Sequence, residues 1–191
     1  MIKLLFLAGS ARKESLNKKL ALYASKMAEE HEAVDVQFLD LADFDMPIYN
    51  GDFEDEHGLP DNAIRLKKLF MDCDGFFLAC PEYNSSFTPL LKNSMDWISR
   101  PNKKDDNDGS AFQGKICALG SASPGPLGGI RGLFPVRMWL STIGVNIIPA
   151  QVCVNNGMDA FKGDDLVDGQ KQKMLGDVIN QFIETTKKLN A

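Results

Sequence analysis

The chain has 191 residues, of which 44% are hydrophobic and 25% charged, and its formal net charge is −5 at pH 7. This length favours one domain, residues 1–191, which is large enough to fold without disulfide or metal cross-links. The acidic balance and the absence of a basic stripe argue against nucleic-acid binding, and no apolar run is long enough to span a bilayer.

The cysteines predict structural thiols and no metal site. They form no Cys-x-x-Cys pair, and most lie in or beside apolar runs: Cys73, Cys80, Cys117 and Cys153. Buried free thiols are the expected state. The two histidines, His31 and His57, lie far apart in polar stretches without zinc spacing. Because no N-terminal signal is visible and the thiols are expected to be free, we expect a cytoplasmic protein.

The first part of the chain alternates between strand-like and helical spacing. A near-continuous apolar run, Ile2–Ala8, predicts a strand buried on both faces. Residues 16–28 carry apolar side chains at helical spacing, and residues 34–38 alternate apolar with polar, as a half-exposed edge strand does. The polar residues 40–60 predict a surface loop, and residues 63–72 predict a helix.

The middle of the chain continues the same alternation. Residues 75–80 predict a second buried strand. Thr88 followed by Pro89 predicts a capped helix start, and that helix should run to about Ser99. The polar residues 100–114 then predict a second surface loop.

The last part supplies two more strands and two more helices. Residues 116–120 predict a strand, and a glycine-rich turn follows it. Residues 130–142 are helical in pattern, although Pro135 must kink that helix or shorten its first turn. A fifth strand is predicted within residues 145–154, and a long amphipathic helix over residues 166–189.

Five strands alternating with five helices predict an α/β fold with a doubly wound, five-stranded parallel sheet. The flavodoxin-like strand order 2-1-3-4-5 would place the half-exposed second strand at an edge of the sheet. In such sheets ligands bind beyond the carboxyl ends of the strands, near the switch between strands 1 and 3. The loops that follow Ala8, Cys80 and Gly120 should therefore meet at one site.

The first of these loops has the pattern of a phosphate site. Residues 9–17 read Gly-Ser-Ala-Arg-Lys-Glu-Ser-Leu-Asn and join a strand to a helix, whose N-terminus offers free N–H groups. Ser10, Ser15 and Asn17 can add neutral donors, and Arg12 a charged one. The loop matches neither common nucleotide-binding glycine motif, so a phosphate monoester fits better. The alternative is that Ser15 is an ordinary helix cap and Arg12 a surface charge.

Four motifs follow one another at these predicted strand ends. They are G-S-x-R-x-x-S-x-N at residues 9–17, P-E-Y-N at 81–84, L-K-N-x-x-D-W-x-S-R at 91–100 and S-x-G-x-x-G-G at 123–129. In this order they resemble the motifs of the NADPH-dependent FMN reductase family. That flavodoxin-like family includes chromate, quinone and azo-dye reductases.

The resemblance implies a role for particular residues. The phosphate of FMN would be held in the first loop, whose cofactor-binding residues would be Ser10, Arg12, Ser15, Leu16 and Asn17. The second loop would run along the flavin, largely through backbone groups, at Glu82, Tyr83, Asn84 and Ser85. Ser123 and the glycines after it would approach the ring from the other side. Two alternatives stay open: Tyr83 as a packing residue, and Glu82 as a solvated loop charge.

The activity that the resemblance implies is NAD(P)H oxidation through FMN. A hydride would reach N5 of FMN, and electrons would pass to a free flavin, a quinone, an azo compound or a metal oxyanion such as chromate. The cofactor carries this chemistry, so no catalytic side chain is required. An alternative is a non-enzymatic electron carrier of the flavodoxin type, against which residues 9–17 argue. A phosphate-dependent receiver would need acidic strand ends, which are absent.

The resemblance also implies a homodimer or homotetramer. The helix over residues 89–99 has apolar side chains at helical spacing, and Trp97 lies off that stripe. We therefore expect Trp97 in a subunit interface. The alternative is that Trp97 packs under residues 100–114 of its own chain.

Overall fold

The computed structural model describes residues 1–105 and 108–190, and its centre is a five-stranded sheet. The order is β2-β1-β3-β4-β5, and all four neighbouring pairs are parallel. The predicted flavodoxin-like α/β fold and its strand order are confirmed. The strands are β1 Ile2–Ala8, β2 Val34–Leu39, β3 Gly75–Ala79, β4 Ile116–Ala122 and β5 Asn146–Val154.

Helices connect and cover these strands. They are α1 Leu16–Glu29, α2 Gly51–His57, α3 Asp61–Asp72, α4 Pro89–Ser99, α5 Ile130–Thr142, α6 Gly157–Ala160 and α7 Gly169–Leu189. A small antiparallel hairpin, β6 Phe161–Lys162 with β7 Asp165–Leu166, precedes α7, so the last helix begins three residues later than predicted. Within the described ranges, no helix has the length and hydropathy needed to cross a bilayer.

The sheet has a hydrophobic core on each face. Helices α1 and α7 cover one face, where Leu20 and Ile179 pack against Phe6 of β1. Helices α3, α4 and α5 cover the other face, where β1 contributes Leu5 and Leu7. Because both faces of β1 are covered, its sequence is apolar almost throughout, as expected for a central parallel strand.

Thr88 fixes the start of α4 beside the end of β1. Its side chain accepts a hydrogen bond from Leu91 N at 3.2 Å, which caps the helix as predicted. Its hydroxyl also donates to the Gly9 carbonyl at 2.6 Å. The capping residue therefore ties the loop after β1 to the helix after β3.

Residues 40–60 are more ordered than a surface loop. They contain a 3₁₀ turn, Leu41–Asp43, and the short helix α2, which the sequence pattern did not predict. The buried carboxylate of Glu54 accepts hydrogen bonds from Tyr49 Oη at 2.9 Å and Arg100 Nε at 2.8 Å. The hydrogen bond to Glu54 raises the pKa of Tyr49. This segment is thus held onto the end of α4 by a charged network.

Trp97 lies under this segment and not in a subunit interface. The side chain is fully buried, and its Nε1 donates to the Pro47 carbonyl at 2.7 Å. Tyr49 and Phe53 pack edge-on against the indole, with ring centroids at 5.0 Å and 6.1 Å. The interface prediction for Trp97 is wrong, because residues of the same chain cover it. The contacts that cover the indole come from residues 47–53.

We expect Trp97→Phe to lower the free energy of unfolding by about 1–2 kcal/mol, since it removes a buried hydrogen bond and leaves space under α2. Trp139→Phe is the matched control, because the buried Nε1 of Trp139 has no hydrogen-bond partner within the described residues. Urea unfolding of both variants measures the difference. A larger loss of unfolding free energy in Trp139→Phe than in Trp97→Phe would contradict this account of how residues 47–53 cover Trp97.

Candidate functional site

Four loops meet at the carboxyl edge of the sheet. The first loop is residues 9–15, the second 80–88, the third 123–129 and the fourth 155–158, which follow β1, β3, β4 and β5. They surround a cavity of about 140 Å³. Eight of the ten predicted site residues line it: Ser10, Arg12, Ser15, Leu16, Asn17, Glu82, Tyr83 and Ser123. Asn84 and Ser85 are not among its lining residues.

The first loop presents a cluster of unused N–H groups to this cavity. Ser15 caps α1 by accepting from Lys18 N at 3.3 Å, and Ser10 Oγ accepts from Arg12 N at 3.3 Å. The backbone N–H groups of residues 13–17 have no acceptor in the described part of the chain. These donors lie at the positive end of a 14-residue helix, which favours an anion.

Among the described residues that line this cavity, Arg12 is the one with a positively charged side chain. Its side chain is exposed and makes no ion pair with the described residues. Lys18 pairs with Asp40 at 2.6 Å and Lys19 with Glu14 at 3.2 Å, and Lys13 is not among the residues that line the cavity. The arginine is therefore the charged donor available to an anion at the α1 N-terminus.

Asn17 is engaged with β4. Its side chain is buried, with 4% exposed. Its Nδ2 donates to the Ala122 carbonyl at 2.8 Å, and Ala122 N donates to its Oδ1 at 2.9 Å. The amide oxygen and one amide hydrogen are thus used within the protein, a role that the sequence motif did not reveal.

The second loop turns tightly after Tyr83. Tyr83 and Ser86 exchange two backbone hydrogen bonds, at 2.9 Å and 3.0 Å. Between them Asn84 has φ +52° and Ser85 φ +63°, the left-handed pair of a type I′ turn. The turn carries these two side chains beyond the cavity, while Tyr83, 46% exposed, lines it. An aromatic surface is thus available at the cavity wall.

Glu82 is not a solvated loop charge, so that alternative is wrong. Its carboxylate is 8% exposed and accepts from Arg131 Nη2 at 2.6 Å and Gly132 N at 3.3 Å. A carboxylate at the first turn of α5 is stabilised by the helix dipole. The Glu82 side chain therefore joins the second loop to α5, which leaves its backbone for a ligand.

The third loop borders a second cavity of about 410 Å³. The two cavities share Glu82 and Ser123 as lining residues, so they are neighbours along one cleft. Gly128 has φ +62°, and a Cβ there would lie 3.0 Å from the backbone of residues 153–155. Glycine is favoured at this position because φ is positive and the loop passes close to β5.

Sequence reasoning missed the fourth loop. Asn156 N donates to Gly125 O at 3.2 Å and Gly157 N to Ser123 O at 2.9 Å, so this loop supports the third one. Met158 follows, is 72% exposed and lines the first cavity. The Asn156-Gly157 pair after β5 is a turn signal that could have located it.

Comparison with known proteins decides the family. A sequence model described as NADPH-dependent FMN reductase matches residues 2–159. The chain belongs to the NADPH-dependent FMN reductase family. It is therefore a member of a family of oxidoreductases whose cofactor is FMN, as the resemblance implied.

Relatives within and near this family carry enzyme names. The chain is 33% identical over 127 residues to a 2-hydroxy-1,4-benzoquinone reductase of a Burkholderia species. This match covers 66% of the present chain and 63% of the relative, so it spans less than two thirds of the relative's length. It is 30% identical over 183 residues to an NADPH azoreductase of a Bacillus species, at 95% and 90% coverage. The flavoenzyme NAD(P)H:(acceptor) oxidoreductase FerB of Paracoccus denitrificans superposes with a TM-score of 0.82, 27% identity and 98% coverage of both chains.

The donor set of the first loop fits the phosphate of FMN. N–H groups and one arginine without partners among the described residues, together with two serine hydroxyls, supply hydrogen bonds and positive charge without a metal. Tyr83 and the backbone of the second loop lie along the same cavity, where the flavin would begin. The local chemistry of the first loop thus fits the FMN that the family assignment provides.

We expect Arg12→Ala to weaken FMN binding about 10- to 100-fold, since a charge-assisted hydrogen bond contributes about 1.5–3 kcal/mol. Riboflavin, which lacks the phosphate, should bind the variant and the unmodified chain equally well. Titration of the flavin-free, full-length chain measures both affinities. Lys13→Ala is the control: it removes an exposed positive charge from the same loop but should leave FMN affinity nearly unchanged. Unchanged FMN affinity in Arg12→Ala would remove Arg12 from the site.

Proposed function

We propose that the protein is an NAD(P)H-dependent oxidoreductase that uses FMN to reduce small neutral acceptors, quinones first and azo compounds second. The observation that carries the proposal is the pair of neighbouring cavities. The first cavity shares Glu82 and Ser123 with a second cavity of about 410 Å³, which would hold a second small molecule beside the flavin. The names of the quinone reductase and azoreductase relatives support these acceptors.

The charge of the second cavity favours neutral acceptors. Its charged lining residues are Glu82 and Arg131, and these pair with each other at 2.6 Å. Its other lining residues are neutral, among them Pro126 and Leu127. An oxyanion such as chromate would find no unpaired cation among the described residues of this wall, whereas a flat uncharged ring would find an apolar surface. Quinones therefore fit this cavity better than metal oxyanions.

The residues of the chain would bind and orient FMN, and the bound FMN would carry out the hydride and electron transfer. The N–H groups of residues 13–17 and Arg12 would hold the phosphate, and Tyr83 would flank the ring. The thiols are not nucleophiles here, because burial raises the pKa of Cys73 to about 12 and raises the pKa of the other three as well. Four free cysteines also support the cytoplasmic setting proposed from the sequence.

Steady-state oxidation of NADPH tests the proposal. The FMN-loaded protein is mixed with NADPH and with a benzoquinone, an azo dye, chromate or no acceptor, without oxygen. We expect continuous turnover with the quinone, slower turnover with the azo dye, and little with chromate. Flavin-free protein is the control, and its activity should return on addition of FMN. NADPH oxidation that stops after one equivalent with every acceptor would contradict an enzymatic function. It would indicate a flavodoxin-type electron carrier.

We infer that two copies of the chain associate through the outer face of α5. Three large apolar side chains are exposed there and in the loop before it: Leu127 at 52%, Phe134 at 67% and Met138 at 67%. Leu127 also lines the second cavity, so a second copy on this face would complete its wall. This face takes the place of the α4 interface that the sequence suggested, since most apolar side chains of α4 are buried within the chain.

The partner copy would contact side chains and would not extend the sheet. β5 is an edge strand, but Pro149 has no N–H to offer to another strand. Arg137 also donates hydrogen bonds to two backbone carbonyls of β5, Ile148 O at 3.1 Å and Pro149 O at 3.2 Å. Strand pairing is thus blocked at this edge, while the apolar side chains of α5 remain open to a second copy.

Phe134→Ser should weaken the association at least about tenfold, because large aromatic side chains dominate interface energies. Light scattering at micromolar concentration should show a dimer or tetramer for the unmodified chain and a smaller species for the variant. Ile48→Ser is the matched control, since Ile48 is 86% exposed but lies on the segment over α4. A fully active, strictly monomeric unmodified protein would contradict the inferred association.

A further inference from the structure

Strand β4 continues beyond the end of its neighbour β3. The last paired residues are Ala79 and Gly120, and Cys80 N donates to Gly120 O at 2.8 Å before the chain turns away at Pro81. On its other side β4 stays paired with β5 as far as Ala122. Alternate residues of a strand direct their N–H and C=O groups to the same neighbour, so Ala122 faces the space that β3 has left.

The side chain of Asn17 occupies that space. A primary amide has the same donor and acceptor as a peptide group, and Asn17 uses both toward Ala122, at 2.8 Å and 2.9 Å. The two residues are 105 positions apart in the chain, and both are buried, with 4% exposed each. Asn17 thus replaces the missing strand, and without it both backbone groups of Ala122 would lose the hydrogen-bond partners they have in the protein.

This contact joins the two halves of the cofactor site. Asn17 is the second residue of α1, and the first two residues of that helix line the first cavity. Ala122 is the last residue of β4, and the third loop begins at Ser123. We propose that the Asn17 side chain has a positioning role, in which it sets the third loop against the phosphate site, and that this side chain is not a ligand of the FMN phosphate. The proposal rests on FMN as the cofactor and is independent of which acceptor the protein reduces.

Comparison of FMN with riboflavin separates positioning from phosphate binding. The flavin-free, full-length Asn17→Ala chain is titrated with both flavins, with Arg12→Ala as the phosphate-contact reference. A positioning role predicts that Asn17→Ala weakens both flavins by a similar factor, on the order of tenfold, so that their affinity ratio stays constant. Arg12→Ala should instead change the ratio. Selective loss of FMN binding in Asn17→Ala, or no loss with either flavin, would overturn the proposal.

A measurement on the unmodified protein covers the case in which Asn17→Ala does not fold. NMR spectra of the chain loaded with FMN are compared with those of the chain loaded with riboflavin. We expect the backbone N–H signals of residues 13–17 to shift strongly, while the side-chain amide signals of Asn17 shift little and exchange slowly with solvent. A scalar coupling between phosphorus and a side-chain amide hydrogen of Asn17 would show that this side chain is a phosphate ligand and would refute the positioning role.

Discussion

The parallel pairing of β1 with both β2 and β3 is the constraint on which the site depends. The chain leaves β1 toward α1 on one face of the sheet and leaves β3 toward α4 on the other face. The two connections diverge at the carboxyl edge, so no element of the main fold fills the crevice between them. The α1 N-terminus lies at this crevice, and its N–H groups are left for a ligand.

The sheet could be predicted from the sequence because its signals are local. Both faces of β1 are covered, which makes Ile2–Ala8 apolar almost throughout, and the alternation of residues 34–38 marks β2 as an edge strand. Helix α2 could not be predicted in this way, because only Phe53 interrupts its polar sequence. Its position depends on Trp97 and on the Glu54–Arg100 ion pair, whose partners lie 46 residues apart.

In the candidate site, too, features with local sequence signals could be predicted, and features that depend on distant residues could not. The motifs of the first three loops located the cavity, and eight of the ten predicted residues line it. The motifs could not predict the roles of individual side chains, because the hydrogen-bond partners of these side chains are distant in sequence. Asn17 bonds to Ala122, 105 residues away, and Glu82 to Arg131, 49 residues away. Both residues use their side chains to hold loops together, where the resemblance had placed them beside the cofactor.

The most direct test of the account is a crystal structure of the protein with FMN bound. We predict that the phosphate lies within hydrogen-bond distance of the N–H groups of residues 13–17 and of the Arg12 guanidinium, with the flavin extending past Tyr83 toward the second cavity. The sheet also carries a separate groove of about 350 Å³ beside β2, lined by residues that include Lys3 and Asp35. A phosphate bound there, or anywhere away from the α1 N-terminus, would contradict the account.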